Sequence, residues 1–348
     1  MRFYHGTHEH YCGVDLHAKT MYLCVLDRDG KVQLHRDLPA DPAPFLRAIT
    51  PFEDVVVAAE CVNMWYWLAD VCADEDVPFV LGHALYMRAV HGAKVKNDRV
   101  DALKIASLLR GGLLPVAYVY PRAMRATRDL LRRRTRLVRQ RGALLAHATG
   151  TNTQYNLDPL PGRLTYKKNR VGFADAFDDD PSLRKNVELD LALVETYDRL
   201  IADAERHILR TVKAHDPDAF VRLLSVPGIG KITALTILYE MHTVDRFPSV
   251  GDWLSYSRLV RPNKESAGKI VGHGPVKMGN PHLRWAFGEA AVHFVRDADP
   301  RGQRLVAKLK KRHNQAKATT ILAQKLGRAA YFMLKRSTAF DMKRFVTR

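Results

Sequence analysis

The stretch YCGVDLHAKTMYLCVLDRDGKVQLHRDL, Tyr11 to Leu38, decides how the first part of this chain folds. YCGVDL is apolar around a single acid, Asp15, and MYLCVLD continues the apolar run. RDG at 28–30 makes a tight turn before KVQLHRDL. Residues 11–36 therefore read as a meander of strands. Aspartate is disfavoured inside a strand, and an unpaired carboxylate is costly to bury. Asp15 needs a partner or a purpose.

Working outward, Pro42 to Thr50 reads as a short helix with Asp41 as its cap and Pro42 at its first position. DVVVAAE at 54–60 is a β-branched strand ending in Glu60, MWYWLADVCAD at 64–74 a helix, and VPFVLGH at 77–83 another strand. KVKNDRVDALKIASLL, Lys94 to Leu109, is a helix capped by Asn97 or Asp98. A meander followed by alternating strands and helices predicts an α/β domain ending near residue 115. GGLLPVAYVYP at 111–121 reads as a linker.

Beyond it the pattern turns helical. Leu130/Leu131, Leu137/Val138 and Leu144/Leu145 recur every seven residues, a packing seam for a coiled coil or bundle over 122–149. Arg122, Arg125, Arg128, Arg132, Arg136 and Arg139 step by three or four and form a stripe on the other side. Such a stripe suits a nucleic-acid backbone; the plainer reading is a solvated basic face. Residues 151–181 lack periodicity and read as an irregular connection. A second long helix over 183–215 returns alongside the first. The expected organisation is an α/β domain at 1–115, a long-helix linker at 116–215 and a mainly helical domain at 216–348.

Charge follows the same division. Residues 1–110 are net −3, while the rest of the chain is net +21, for +18 in all. The second part is built to hold a polyanion, and the first to hold something else, such as cations. The four cysteines, Cys12, Cys24, Cys61 and Cys72, form no CxxC pair and read as reduced, mostly buried thiols. His5, His8 and His10 read as a frayed polar terminus rather than a metal site. No apolar run is long enough to span a bilayer, and the N-terminus has no signal-peptide pattern. The expectation is a cytoplasmic, nucleoid-associated protein.

Four carboxylates stand out. Asp15 sits in a strand, Glu60 ends a strand, and Asp98 and Asp101 lie at i, i+3 on a helix, facing one side. Gathered at one end of an α/β sheet they would repel each other unless cations joined them. Hard oxygen donors favour Mg²⁺ or Mn²⁺, and a pair of such ions supports in-line attack on a phosphodiester. Taken alone, Asp98 and Asp101 are also ordinary first-turn helix acids.

Two stretches of the basic half carry signals. LLSVPGIGKITALTIL at 223–238 resembles a helix-hairpin-helix turn, in which Gly228, Gly230 and Lys231 would meet a phosphate; a simple helix–helix turn is the alternative. RPNKESAGKIVGHGPVKMGNPHLRWAF at 261–287 holds Ser266 in a flexible basic loop, with Lys269, Lys277 and Arg284 nearby. Chemistry alone reads Ser266 as a loop serine, because a hydroxyl needs activation to attack.

Together GVDLHAKT, VVVAAE, VKNDRVDALKIASLL, RDLLRRRTRLVRQR, VPGIGKITA and ESAGK…GPVKMGNPHLRWA resemble, in order and spacing, the DEDD transposases of bacterial insertion sequences, the IS110 family. The resemblance implies a RuvC-like (RNase H fold) first domain binding Mg²⁺ through Asp15, Glu60, Asp98 and Asp101. It implies a coiled-coil linker and a C-terminal transposase domain whose nucleophile is Ser266. Ala267 stands where the family's Ser-Gly-Gly pattern has glycine, which leaves the loop less free. It also implies a DNA recombinase guided by a structured RNA from the element's own ends. Such proteins act as homo-oligomers, dimer or tetramer, with composite sites. Two other readings remain open from the residues: a metal-dependent nuclease in which water attacks, and a non-catalytic nucleic-acid-binding protein.

Overall fold

The computed structural model describes residues 2–90, 97–160, 162–274 and 278–347. The chain divides into two compact units, Met1–Ala123 and Met124–Arg348.

The first unit is built on five strands: β1 (His10–Leu16), β2 (Thr20–Asp27), β3 (Val32–Pro39), β4 (Val55–Glu60) and β5 (Phe79–Gly82). Their order in the sheet is β3-β2-β1-β4-β5. The meander β1-β2-β3 is antiparallel, whereas β4 and β5 continue the sheet in parallel. The turn between β2 and β3 is tied by the Asp27 carboxylate, which accepts from the backbone N–H groups of Asp29 and Lys31. Helix α1 (Pro42–Ile49) starts where expected, with Asp41 accepting from Ala43 N. Helix α2 (Trp65–Asp74) joins the parallel strands β4 and β5, which need a crossover of this kind. Helix α3 (Ala84–Val90) is an element the sequence reading lacks, and α4 (Asp98–Arg110) carries the helical aspartates.

Alternation splits the sheet into two faces. Cys12, Val14, Leu16, Val55, Val57 and Ala59 pack with Phe45, Ile49, Leu68 and Cys72 from α1 and α2. Tyr11, Val56 and Ala58 face the other way, onto Ile105, Leu108 and Leu109 of α4. Two expectations are corrected here. Residues 111–121 are not a free linker: Leu114 is buried in the α4 side of the core, and Val116 bridges to Gly82. The histidine-bearing terminus is not frayed: Tyr4 N donates to Leu114 O, and His8 Nδ1 pairs with Asp54 Oδ1 at 2.7 Å.

In the second unit, α5 (Arg122–Gln154) and α6 (Pro181–Thr211) are the two long helices. Arg134 pairs with Glu205, Arg141 with Asp198, and His147 with Asp190. Arg134 to Arg141 is seven residues forward on α5 and Glu205 to Asp198 seven back on α6, and the pair His147–Asp190 continues in the same sense, so the helices run antiparallel. Residues 155–160 and 162–180 are irregular apart from two short 3-10 turns, and they are packed: Phe173 and Phe177 join Leu145, Ala148, Val187 and Val194 in one cluster. The buried Arg170 pairs with Asp198 and donates to Leu164 O.

The rest of the unit is α7 (Pro217–Leu224), α8 (Lys231–Met241), α9 (Val250–Tyr256), the hairpin β6 (Asn263–Ser266) and β7 (Lys269–His273), α10 (Pro281–Asp297), α11 (Pro300–Arg312), α12 (Gln315–Lys335) and α13 (Met342–Thr347). Its core gathers Trp253, Phe287, Phe294, Leu283, Leu326 and their neighbours. Among the described residues no helix is long and apolar enough to cross a membrane.

Candidate metal centre and nucleic-acid face

The acid cluster is assembled by a glycine. Gly13 lies mid-strand in β1, where a Cβ would collide with the backbone of α4 at Ala102 and Ala106. That contact lets α4 lie directly on β1. The helix begins at Asp98 because Asn97 caps it, its side chain accepting from Arg99 N at 3.0 Å. Asp98 and Asp101 thus fall in the first turn, at the end of the helix nearest the end of β1.

Asp15 lies on the α4 face, two residues beyond Gly13. His17, in the turn before β2, brings its Nε2 to 3.3 Å from Asp15 Oδ2 and 3.5 Å from Asp98 Oδ1. One ligand atom from each of Asp15, His17 and Asp98 lies within 4.8 Å of the others. Burial raises the Asp15 pKa, and the charges of Asp98 and Asp101 add to this, while His17 opposes it. Asp101 is held by Lys104 Nζ at 2.8 Å. Glu60 is half-buried at the end of β4; Val14 pairs with Ala59, so Glu60 ends the strand beside Asp15. Among the described residues, Glu60 and Asp101 stand outside the tight three-residue group. The donor set fits a hard divalent cation. It offers carboxylate oxygens, one of them half-buried and held against its own charge, and an imidazole able to donate a lone pair.

Ser266 lies in the second unit and is not in a loop. It ends β6, pairs with Lys269 on β7, and is exposed. The two-residue turn between them, Ala267 at φ 48 and Gly268 at φ 73, is left-handed at both positions. This is the turn geometry that suits a tight hairpin. Nothing in the all-polar Asn263–Ser266 announces a strand, and the tight turn with the pairing to β7 is what makes it one. Lys269 and Arg284 are exposed; Lys277 lies outside the described residues, as do Lys94 and Lys96.

The arginine stripe does not form one open face. Arg125 and Arg128 are buried. Glu240 of α8, only 1% exposed, explains part of this. Its Oε2 accepts from Arg128 Nε at 3.1 Å, Arg132 Nη2 at 2.8 Å and Asn280 Nδ2 at 2.7 Å. Burial alone would raise the Glu240 pKa, but the Arg132 and Arg128 guanidiniums and Asn280 bring it below the ordinary value. Arg122 pairs with Asp70 and Asp74. Arg136 and Arg139 are exposed. Six arginines at helical spacing can look alike in sequence, and only the packing of α8 on α5 tells an internal counter-charge from a free one.

The glycine turn also divides. Gly228, at φ 86, is pressed against the backbone of α10 at Ala290 and Phe294, so its open side is taken by helix packing. Gly230 precedes α8 with space around its Cα, and Lys231 is exposed.

Residues 12–156 match the DEDD transposase model of the IS110 type, and residues 221–307 match the "Transposase IS116/IS110/IS902 family" model. The first match holds Asp15, Glu60, Asp98 and Asp101; the second holds Glu240, Ser266 and His282. The chain belongs to the DEDD transposases of the IS110 family. It is 23% identical, over 94% of its length and 90% of the relative's, to the transposase for insertion sequence element IS1111A of Coxiella burnetii. It is 27% identical to a putative transposase, y4qE, of Sinorhizobium fredii, covering 81% of this chain and 71% of that one. The transposase for element IS1328 of Yersinia enterocolitica is 26% identical, covering 71% and 74%.

Sequence reasoning missed His17 and Glu240. Aspartate, leucine and histidine in a row at a strand end was the available sign for His17. Glu240, an acid ending an apolar helix in a strongly basic unit, could have been asked for its counter-ion.

Proposed function

We propose that the protein is an insertion-sequence transposase that excises and inserts its element by attack of Ser266 on DNA phosphodiesters, assisted by a divalent cation, Mg²⁺ or Mn²⁺. The observation that carries this is the convergence of Asp15, His17 and Asp98, with Asp101 and Glu60 beside them, in a chain of the DEDD family. Asp15, Glu60, Asp98 and Asp101 would hold the ion, with His17, beside Asp15 and Asp98, as a further donor. When bound, the ion would neutralise charge on the phosphate and on the departing oxygen.

Ser266 Oγ forms a bond to phosphorus as the bond from phosphorus to the sugar oxygen breaks, and the serine proton, passed through solvent water, ends on the leaving oxygen as a hydroxyl. The resulting phosphoserine link keeps the energy of the broken bond, so attack by the displaced hydroxyl of another strand end reseals DNA without ATP. Lys269, paired with Ser266 across the hairpin, and Arg284, further along the same basic stretch, stabilise the added negative charge. DNA, and a structured guide RNA from the element's ends, lie along the basic second unit through Arg136, Arg139, Gly230 and Lys231. The mixed sheet order, a meander followed by two parallel strands, supports a RuvC-like fold for the first unit. The heptad-matched pairing of α5 and α6 supports a coiled-coil linker. The acids and Ser266 lie in separate units, which favours action as a dimer or tetramer.

The test is an excision assay with the gene inside its natural flanking DNA. Amplification across the circular junction is expected for wild type and absent for Ser266→Ala and Asp15→Asn. A junction from Ser266→Ala would reject the serine. One other reading has an observation in its favour: Ser266 sits in a regular hairpin, where it could be structural. A metal-dependent nuclease of that kind would cut DNA with no covalent protein–DNA adduct.

A further inference from the structure

A cavity of about 390 Å³ opens along α5 beside the first turn of α10, lined by Asp129, Arg132, Arg133, Arg136, Arg139 and His282. The α5 residues are spaced by three and four and form one helical face. Four of them are arginines and one is an acid. The cavity is lined entirely by residues of the second unit.

Three features set it apart from a solvated basic face. First, Arg132 is immobilised. Its Nε and Nη2 are bonded to the buried Glu240, which fixes the plane of the guanidinium at the cavity wall. Second, the same carboxylate anchors the start of α10. Asn280 Nδ2 donates to Glu240, while Asn280 Oδ1 accepts from His282 N and Leu283 N. The cavity wall is therefore a rigid junction of α5, α8 and α10. Third, the His282 ring lines the cavity, and its Nδ1 is buried with no hydrogen-bond partner among the described residues. Burial pushes His282 down to about 4; Glu240 opposes the shift, while Arg132, Arg139 and Arg128 add to it. Near neutral pH the ring is neutral and adds no further cation to the wall.

We propose that this cavity seats one particular backbone phosphate of the DNA, clamped by Arg136 and Arg139 against the fixed Arg132. Guanidiniums grip phosphate oxygens in a planar, two-point fashion, and a concave wall confines that grip to one group. A clamped phosphate sets the register of the strand on the protein. The inference rests on the reading of the protein as a DNA-acting transposase and adds to it a defined anchoring point.

The experiment measures binding, in a Ser266→Ala background, so that strand chemistry plays no part. The full chain is titrated with a duplex of the element's own end and with copies carrying one neutral methylphosphonate linkage each, over a range of salt. Arg136→Ala and Arg139→Ala are expected to weaken binding on the order of tenfold at moderate salt and to lower the salt slope by about one. Arg206→Ala, on the exposed side of α6, should do neither. One methylphosphonate position should weaken the parent protein on the order of tenfold, yet add little to the loss already caused by Arg136→Ala. Unchanged binding by both arginine variants would overturn the proposal. Fully additive losses at every linkage would overturn it too, since they describe a diffuse face. The element's structured transcript is a parallel probe; a non-additive effect on it alone would move the phosphate from DNA to RNA and overturn the assignment. If excision needs no serine while the binding cycle still shows coupling, the anchoring site stands and the strand-transfer reading falls.

Discussion

The two units use carboxylates in opposite ways. In the first, Asp15, Asp98, Asp101 and Glu60 gather with little cationic relief, His17 and Lys104 being the near partners. In the second, one carboxylate, Glu240, sits among arginines and is outnumbered. The first arrangement is short of positive charge and would be completed by a divalent cation. The second is complete within the protein and serves as a fixed foundation for neighbouring groups. Clusters of like charge store a demand for a ligand, whereas a matched buried pair stores order.

The largest expected effect breaks the second arrangement. Glu240→Ala removes the carboxylate from the buried Arg128, and breaking a buried pair costs about 3–5 kcal/mol. Urea unfolding should show this loss. If the variant unfolds at the wild-type midpoint, Glu240 is not the foundation described.

The next tests the first arrangement. Adding Mg²⁺ to a hundred times its dissociation constant should stabilise the wild type by about 2.7 kcal/mol, seen as a raised melting temperature. Asp15→Asn should lose that response while keeping its metal-free stability, because burial and its acidic neighbours already oppose the Asp15 charge. A metal-free Asp15→Asn clearly less stable than wild type would mean that Asp15 is structural.

Acid sharpens the contrast. Glu240's pKa in the folded protein lies below its ordinary 4.5, with burial outweighed by the Arg132 and Arg128 interactions. Its contribution to stability is fully present above 4.5 and is lost as pH falls below that value through the folded pKa. Asp15 is shifted the other way. Thermal melts stepped down into acid should show the second unit weakening there, and Glu240→Gln should remove that part of the slope. An unchanged slope in Glu240→Gln would place the acid sensitivity elsewhere.

The smallest effect lies in the Ser266 hairpin. Ala267 adopts a left-handed conformation that costs about 1–2 kcal/mol for a residue with a Cβ. Ala267→Gly gives back part of this through relief of strain, less glycine's greater entropy in the unfolded state. A gain of about 0.5 kcal/mol is expected by thermal melting, and a loss would show that the turn is not strained.

Much of the first unit was legible in the sequence, because its signals are local. Asp41 and Asn97 act as caps where a short polar residue precedes a helical run. The acid in YCGVDL stood out against a strand that gives it no local excuse. The missing parts depended on tertiary contact. Leu114 looks like linker until the sheet edge and α4 are there to receive it. Phe173 and Phe177 have no periodicity, yet they close over the α5–α6 pair. Arg128 and Arg136 share a residue type and a spacing and differ only in whether α8 lies above them.

Gly13 carries a consequence for the element as a heritable unit. A single methyl group at that position would lift α4 from β1 and spread Asp98 and Asp101 away from Asp15. Every acidic residue would still be present in the gene, and its family signature would be intact. A copy can therefore fall silent through a packing change, and a census of active copies that counts only the acids would overlook it.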